Sequence, residues 1–385
     1  MRTALLVLLI VHGAIHLLGF VKAFGLAEIA QLQQPISKPL GLLWLLSGLA
    51  FLASAVCLLV VPRQWWLVAG PALVLSQIVI VTSWHDARFG TLANVVVLVP
   101  LAMSLLELRS TAFRSIYAQD VARGLARQTP ASIVTEADLA KLPPLVQTYL
   151  RRAGAVGKPR VRDVRTRWRA QMRSKPDAAW MDARADQHDF FDEPARVFLM
   201  DASLYGIPFV ALHRYVGPAA TMQVRVASFV DIVDARGPEM NQSETVTLFN
   251  DLCLLAPAAL VDARVTWEAI DARSVRGTFT NAGQTIHAVL AFDAQGDLAD
   301  FVSNDRFLSG DGKKYESFPW STPIRDYRDF GGRRVASRGE TVWKQPAGDF
   351  VYGRFELEEI EYNVGQREGA SYRVTANAAP ALEAR

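Results

Sequence analysis

Four long uncharged apolar runs fill the first 106 residues of this chain, and the remaining 279 contain none. Between Arg2 and Lys22 lie 19 residues without Asp, Glu, Lys or Arg; between Lys38 and Arg63, 24; between Arg63 and Asp86, 22; between Arg88 and Glu107, 18. At a rise of about 1.5 Å per residue, each run is about long enough to cross roughly 30 Å of hydrocarbon as an α-helix. The chain therefore reads as four membrane spans followed by a water-soluble domain. The opening Met1-Arg2 and its apolar run have the outline of a signal peptide. His12 and His16 interrupt the run, however, no small-x-small cleavage site precedes Lys22, and three more spans follow, so the segment is read as retained.

Lysine and arginine near the span ends give the orientation. Arg2, Arg63, Arg109, Arg114, Arg123 and Arg127 fall on one side, and Lys22, Lys38 and Arg88 on the other. The bias places the soluble domain on the cytoplasmic side of a bacterial inner membrane, as a multi-pass protein. Net charge is only +3, with acidic and basic residues interspersed, so no nucleic-acid face is expected. Cys57 and Cys253 are the two cysteines and support neither a disulfide framework nor a CxxC metal site.

Polar side chains inside apolar spans are costly and tend to face partners or cavities. His12 and His16, four residues apart, project from one face of the first span. Two imidazoles so placed are able to share a metal ion, hold a haem or quinone, or relay protons. The alternative is a structural role, hydrogen-bonding to Ser76, Gln77 or Asn94 of neighbouring helices. Asp86 and Arg88 in the turn Trp84-His85-Asp86-Ala87-Arg88-Phe89-Gly90, with Asn94 one turn on, complete a polar site at one membrane face. Asp86 is a candidate cap for the fourth span or a partner for Arg88.

Residues 107–157 read as a helical linker. Over 107–127, Phe113, Ile116, Tyr117 and Val121 fall near one face and arginines elsewhere, a pattern expected to lie along lipid headgroups. Thr135 and Asp138 form a capping box, and Leu142-Pro143-Pro144 breaks the following helix. Beyond Lys158 the period changes to alternation, as in Val161 to Trp168 and Trp180 to Phe191, with turns at Asn281-Ala282-Gly283 and Gly331-Gly332. About ten strands at hairpin spacing imply a curved antiparallel sheet over 158–365. A helical insert at about 243–260 is apolar enough to lie on its concave face. Residues 366–385 read as a disordered tail. The fold class is thus membrane α plus β, a four-helix transmembrane bundle followed by a β half-barrel with a helical insert.

Met240-Asn241-Gln242-Ser243-Glu244, Leu254 to Pro257, Val265-Thr266-Trp267-Glu268, Asp305-Arg306, Pro319-Trp320, Gly331-Gly332, Trp343 and Tyr352 follow one another in an order that resembles an uncharacterised family of bacterial membrane proteins. That resemblance covers about residues 135–365, implies N-terminal transmembrane helices joined to a β-rich domain, and brings no established activity. The strand order is also similar to the lipoprotein-carrier fold of LolA and LppX, an open half-barrel with helices across its mouth.

No GxSxG, P-loop, GxGxxG or HExxH motif occurs, so the sequence names no catalytic residue and no cofactor. Asp182, Asp186 and His188 share a strand face, either a cation site or a solvated surface. Asp305-Arg306 reads as a strand ion pair. Trp168, Trp180, Trp267, Trp320 and Trp343 are core residues in a filled barrel, or the walls of an apolar pocket in a hollow one, with Glu244 and Asp251 as a carboxylate pair on the insert. The expected function is membrane-anchored binding of a lipid or other apolar small molecule at the bilayer surface. The alternative is a membrane redox, metal or haem protein using His12 and His16.

Overall fold

The computed structural model describes residues 2–204 and 207–364, so the expected tail at 366–385 lies outside the described residues. The chain divides into two compact units between Ala112 and Phe113.

The first unit holds helices α1 (Arg2–Ala23), α2 (Lys38–Val60), α3 (Trp66–Thr82) and α4 (Gly90–Leu106). Of the four expected spans, α1 and α2, with 22 and 23 residues, are long and apolar enough to cross a membrane, while α3 and α4 are shorter apolar helices. Residues at both ends of the third run are spent on turns: 62–65 form one before α3, and Trp84–Ala87 form a separate helical turn after it. Leu9, Phe51, Ala69, Ala72 and Val97 pack inward, while Ile10, Leu46, Val74, Ile78, Val95 and Val99 stay exposed. Gly13 and Gly48 let α1 and α2 approach closely, since a Cβ on Gly48 would stand 2.8 Å from the Gly13 carbonyl oxygen.

The second unit opens with α5 (Phe113–Leu125), followed by α6 (Pro144–Arg152). Six strands then run as a meander: β1 (Asp163–Met172), β2 (Met181–Phe190), β3 (Ala195–Leu204), β4 (Ile207–Val216), β5 (Ala219–Val226) and β6 (Val230–Ala235). Helix α7 (Pro238–Leu255) leaves this edge and leads through a 3-10 turn, Pro257–Val261, to the opposite edge. There β7 (Val265–Ala269), β8 (Ser274–Asn281), β9 (Gln284–Phe292) and β10 (Leu298–Ser303) form a second meander. The chain closes with β11 (Trp320–Ser321), β12 (Ile324–Phe330), β13 (Arg333–Gln345) and β14 (Gly348–Tyr362). The sheet order is β6-β5-β4-β3-β2-β1-β14-β13-β11-β10-β9-β8-β7, with β12 on β13, and every pairing is antiparallel. This is the expected half-barrel, with fourteen strands instead of about ten.

Helix α7 starts before the expected insert. Its buried residues lie on every side, as in a helix enclosed by protein rather than laid on a surface. Phe249 stacks on Phe279 with ring centroids 5.1 Å apart and meets Phe301 at 5.5 Å, filling the half of the barrel under β8–β10.

The linker expectation is corrected. Phe113, Tyr117 and Val121 of α5 bury against Val197, Leu199 and Leu212 on the convex face of β3 and β4, not against headgroups. Asp120, buried on the same helix, holds Arg214 of β4 and Arg123. Gly124 completes the contact, because a Cβ there would collide with the buried Phe190 ring. On a free helix Gly124→Ala stabilises by about 1 kcal/mol. Packed as described, the substitution should instead lower stability by about 1–3 kcal/mol, read as a fall in midpoint on denaturant unfolding of the solubilised protein. A rise would place α5 off the sheet.

Candidate functional site

Side-chain alternation sets up the site. On β3, Val197 and Leu199 point out to α5, so Arg196, Phe198 and Met200 point to the concave side. On β4, Phe209, Ala211 and His213 do the same, and β5 adds Met222 and Val224. Helix α7 crosses this surface without filling it. Between them lies a cavity of about 420 Å³, closed on its far wall by Trp320, Trp343, Phe350 and Tyr352. It reaches the surface at Gly310 and Arg338, both exposed.

The cavity brings together Trp168, Trp320, Trp343, Glu244 and Asp251 among the residues singled out from sequence. Trp180 and Trp267 are elsewhere. Trp180 lies against the guanidinium groups of Arg173 and Arg354, 4.6 and 4.4 Å from its ring centre, and Trp267 packs behind Phe249.

Glu244 and Asp251 do not face each other as an isolated pair. Arg196 lies between them, donating from Nη1 to Glu244 Oε2 at 3.1 Å and from Nε to Asp251 Oδ2 at 2.6 Å. Gln187 Nε2 donates to Asp251 Oδ2 and to Asp189 Oδ2, each at 2.7 Å, and His213 Nδ1 lies 3.2 Å from Glu244 Oε1. Burial would raise the Glu244 carboxyl, but Arg196 and His213 outweigh it and hold the pKa at about 2. Burial pushes Asp189 well above the usual carboxylate range, with Asp251 adding to the effect, and its Oδ1 has no partner. Burial also works against the charge on Arg196, yet the carboxylates around it keep its pKa above the ordinary value.

The far wall is different. Arg306 lies 4.5 Å from the ring centre of Trp320 and 5.4 Å from that of Trp343. Its Nε donates to Thr247 Oγ1 at 3.2 Å and its Nη1 to the Tyr352 hydroxyl at 3.3 Å, which also accepts from Trp320 Nε1 at 3.0 Å. The expected Asp305–Arg306 strand pair is therefore corrected: Asp305 sits past the end of β10 and accepts from His287 N. Consecutive residues off a strand aim at different partners.

Asp182, Asp186 and His188 do not form a cation site. Asp186 pairs with Arg165 and Arg167, Asp182 accepts from Gln171, and His188 is buried against Asp163 at 3.0 Å. Among the described residues, no cluster of three or more His, Cys, Asp or Glu side chains is placed to hold a metal ion.

In the first unit, His12 Nε2 lies 2.9 Å from Asn94 Oδ1 and 3.3 Å from Ser76 Oγ, and Asn94 Nδ2 donates to Gln77 Oε1 at 3.0 Å. The network ties α1 to α3 and α4. His16 donates from Nδ1 to the His12 carbonyl, and its buried Nε2 has no partner. Asp86 neither caps α4 nor pairs with Arg88. It accepts from Gln34 N and His85, while Arg88 lies over Phe89.

Sequence reading missed Arg196, Gln187 and His213, and it singled out Arg306 and Tyr352 without placing either in the cavity. The signal for Arg196 was present: it is the lone charge opening the apolar strand Val197 to Met200.

A model of a family of unknown function (DUF6544) matches residues 132–355, meeting the family resemblance read from the sequence. No curated protein matches the chain. Among solved structures it is similar to a putative outer membrane lipoprotein-sorting protein domain from Vibrio parahaemolyticus, at 11% identity and a TM-score of 0.33, over 54% of this chain and 87% of that one. It is similar also to a LolA superfamily protein from Nitrosomonas europaea, at 11% identity and a TM-score of 0.33, over 56% of this chain and 93% of that one.

Of the three shifted carboxyls around Arg196, burial raises Asp251 as it does Asp189, and Glu244 and Asp189 act on stability in opposite directions. Glu244, depressed in the fold, contributes stability that is present above its ordinary value of 4.5 and lost as pH falls toward about 2. Asp189, raised in the fold, costs stability as pH rises above its ordinary value of 3.8. Asp189→Asn removes only that cost. It should raise the melting temperature by a few degrees near about pH 8 and leave it nearly unchanged near about pH 4. An equal shift at both pH values would contradict the placement of Asp189.

Proposed function

Because the chain belongs to a family of unknown function, DUF6544, its role is argued from the cavity, and we propose that it is a membrane-anchored binding protein for a lipid or other apolar ligand. The observation that carries this reading is the 420 Å³ space walled by Trp168, Phe198, Met200, Val224, Trp343 and Phe350 in the concave side of a sheet whose other half is filled. A volume in the range of about 300–1,000 Å³, mostly apolar with a few placed polar groups, is what small-molecule sites share. A chain that only needed a core would gain by collapsing such a space, since each Å³ left empty costs about 24 cal/mol.

The anchor in this reading is multi-pass, with α3 and α4 in the bilayer beside α1 and α2. Their exposed Val74, Ile78, Val81, Leu92, Val95 and Val99 support that placement, because a water-facing helix would not carry such a surface. The arginines at Arg2, Arg63 and Arg109 favour the cytoplasmic side of a bacterial inner membrane for the β-domain.

The alternative, a metal or haem held by His12 and His16, has one observation in its favour, the unpartnered Nε2 of His16. A visible absorbance spectrum and metal analysis of the purified full-length protein separate the two readings.

Native mass spectrometry of the full-length protein extracted from bacterial membranes should release one apolar molecule per chain. Val224→Trp projects an indole into the cavity and should abolish that occupancy, with the melting temperature held within a few degrees. A wild-type chain that is consistently empty, or a Val224→Trp chain loaded like wild type, would sink the proposal.

A further inference from the structure

The polar groups on the two sides of the cavity differ in what they have left to offer. Around Arg196 the hydrogen bonds are met within the protein: Glu244 and Asp251 each accept from it, and Gln187 and His213 occupy neighbouring positions. Arg306 stands opposite, and among the described residues no carboxylate lies within salt-bridge distance of it. A guanidinium carries five N–H donors, and Arg306 uses two, one on Thr247 and one on Tyr352, so three remain. The Tyr352 hydroxyl accepts from both Arg306 and Trp320, which turns its own proton away from them. Both residues line the cavity. The Arg306 charge is felt by Glu244, which it helps to keep ionised, but no protein carboxylate meets its remaining N–H groups, so the corner presents donors without a direct acceptor.

The corner is also held in place. Arg306 rests on two indole faces, which favour a cation without neutralising it. Its backbone segment is pinned to α7, where Gln242 donates to the Asp305 carbonyl at 2.9 Å and the Phe307 amide donates to Ser243 Oγ at 3.0 Å. A fixed guanidinium beside a hydroxyl donor matches a compact oxyanion, a carboxylate or a phosphate.

We infer that the cavity takes an amphiphile whose oxyanion head is bound by Arg306 and Tyr352 and whose apolar chain lies along Phe198, Met200 and Val224. The inference rests on the proposed function and adds the class of ligand to it. A single arginine could equally receive a free anion. The chain-bearing reading is favoured because the walls beyond the corner are apolar.

The test uses the full-length protein, a photoactivatable long-chain carboxylic acid and its methyl ester, with cross-links mapped to peptides of β5 and α7. Wild type should be half-labelled by the acid at a concentration at least about tenfold lower than by the ester, the order expected for hydrogen bonds to a charged group. Arg306→Gln should bring the acid to the level of the ester, and a melting temperature within a few degrees of wild type shows that the variant has folded. Arg306→Lys should restore part of the difference, and Tyr352→Phe should reduce it by less than Arg306→Gln does. An excess of inorganic phosphate should not compete. Equal labelling by acid and ester in wild type would overturn the inference and leave the apolar pocket standing. Competition by inorganic phosphate would overturn it in favour of a free-anion site. Labelling of these peptides by neither probe would overturn the proposed function with it.

Discussion

Arg196 is the side chain on which the hollow half of the β-domain depends. It is buried on β3, and moving a guanidinium out of water carries a penalty of several kcal/mol that only well-placed partners offset. Both partners come from one helix: Glu244 and Asp251 are seven residues apart on α7, two turns along one face. The pair of contacts fixes the rotation of α7 about its axis. With that face turned to β3, Phe249 is carried to the other side, where it stacks in the apolar half under β8–β10. The filled half and the open half are two consequences of the same orientation.

That orientation also explains why the cavity persists. Of the residues α7 turns toward it, Ser243, Thr247 and Asn250 are short or polar and are tied to Phe307, Arg306 and Thr322, beside the apolar Met240 and Leu254. Opposite them, Trp320 and Trp343 are held back by Arg306 and Tyr352, which use the indole faces and the Trp320 N–H. The walls are therefore restrained by polar contacts at their bases while their apolar surfaces line the space, an arrangement that resists collapse.

The architecture was legible where period and turn chemistry agreed, as in β1 and β9, whose alternation runs uninterrupted. It failed at β4, β6, β11 and β12 and in the length of β3, and for β3 and β4 the reason is physical. Helix α5 covers their convex face while the concave face lines the cavity, so Val197 to Met200 are all buried and no polar alternation survives. The same covering explains the misread linker, since an amphipathic helix presents one apolar stripe whether it meets lipid or a sheet. The tryptophans of the wall were legible as a set, but composition could not separate Trp320 and Trp343 from Trp180 and Trp267. Arg306 was read as the partner of its neighbour Asp305 because a sequence shows adjacency, not direction. His12 is the converse case: its spacing left several roles open, and the ties to Ser76 and Asn94 across three helices are contacts a polar group needs where water is scarce.

An apolar cavity with one acceptor-poor corner divides the tasks of recognition. Each methylene of a ligand buried against Phe198, Met200 or Val224 contributes about 0.8 kcal/mol, so affinity scales with the length of the chain. That contribution is indifferent to what the chain carries at its end. Discrimination arises at the corner, where an uncharged end leaves Arg306 and Tyr352 desolvated with their donors unmet, at about 1–3 kcal/mol or more for a charged group. An apolar wall alone separates ligands that differ by one methylene only weakly, whereas a site built to hydrogen-bond a polar head rejects the analogue that lacks it much more strongly. For the proposed amphiphile, selection by head and retention by chain would lie chiefly with different residues, Arg306 for the first and Val224 for the second.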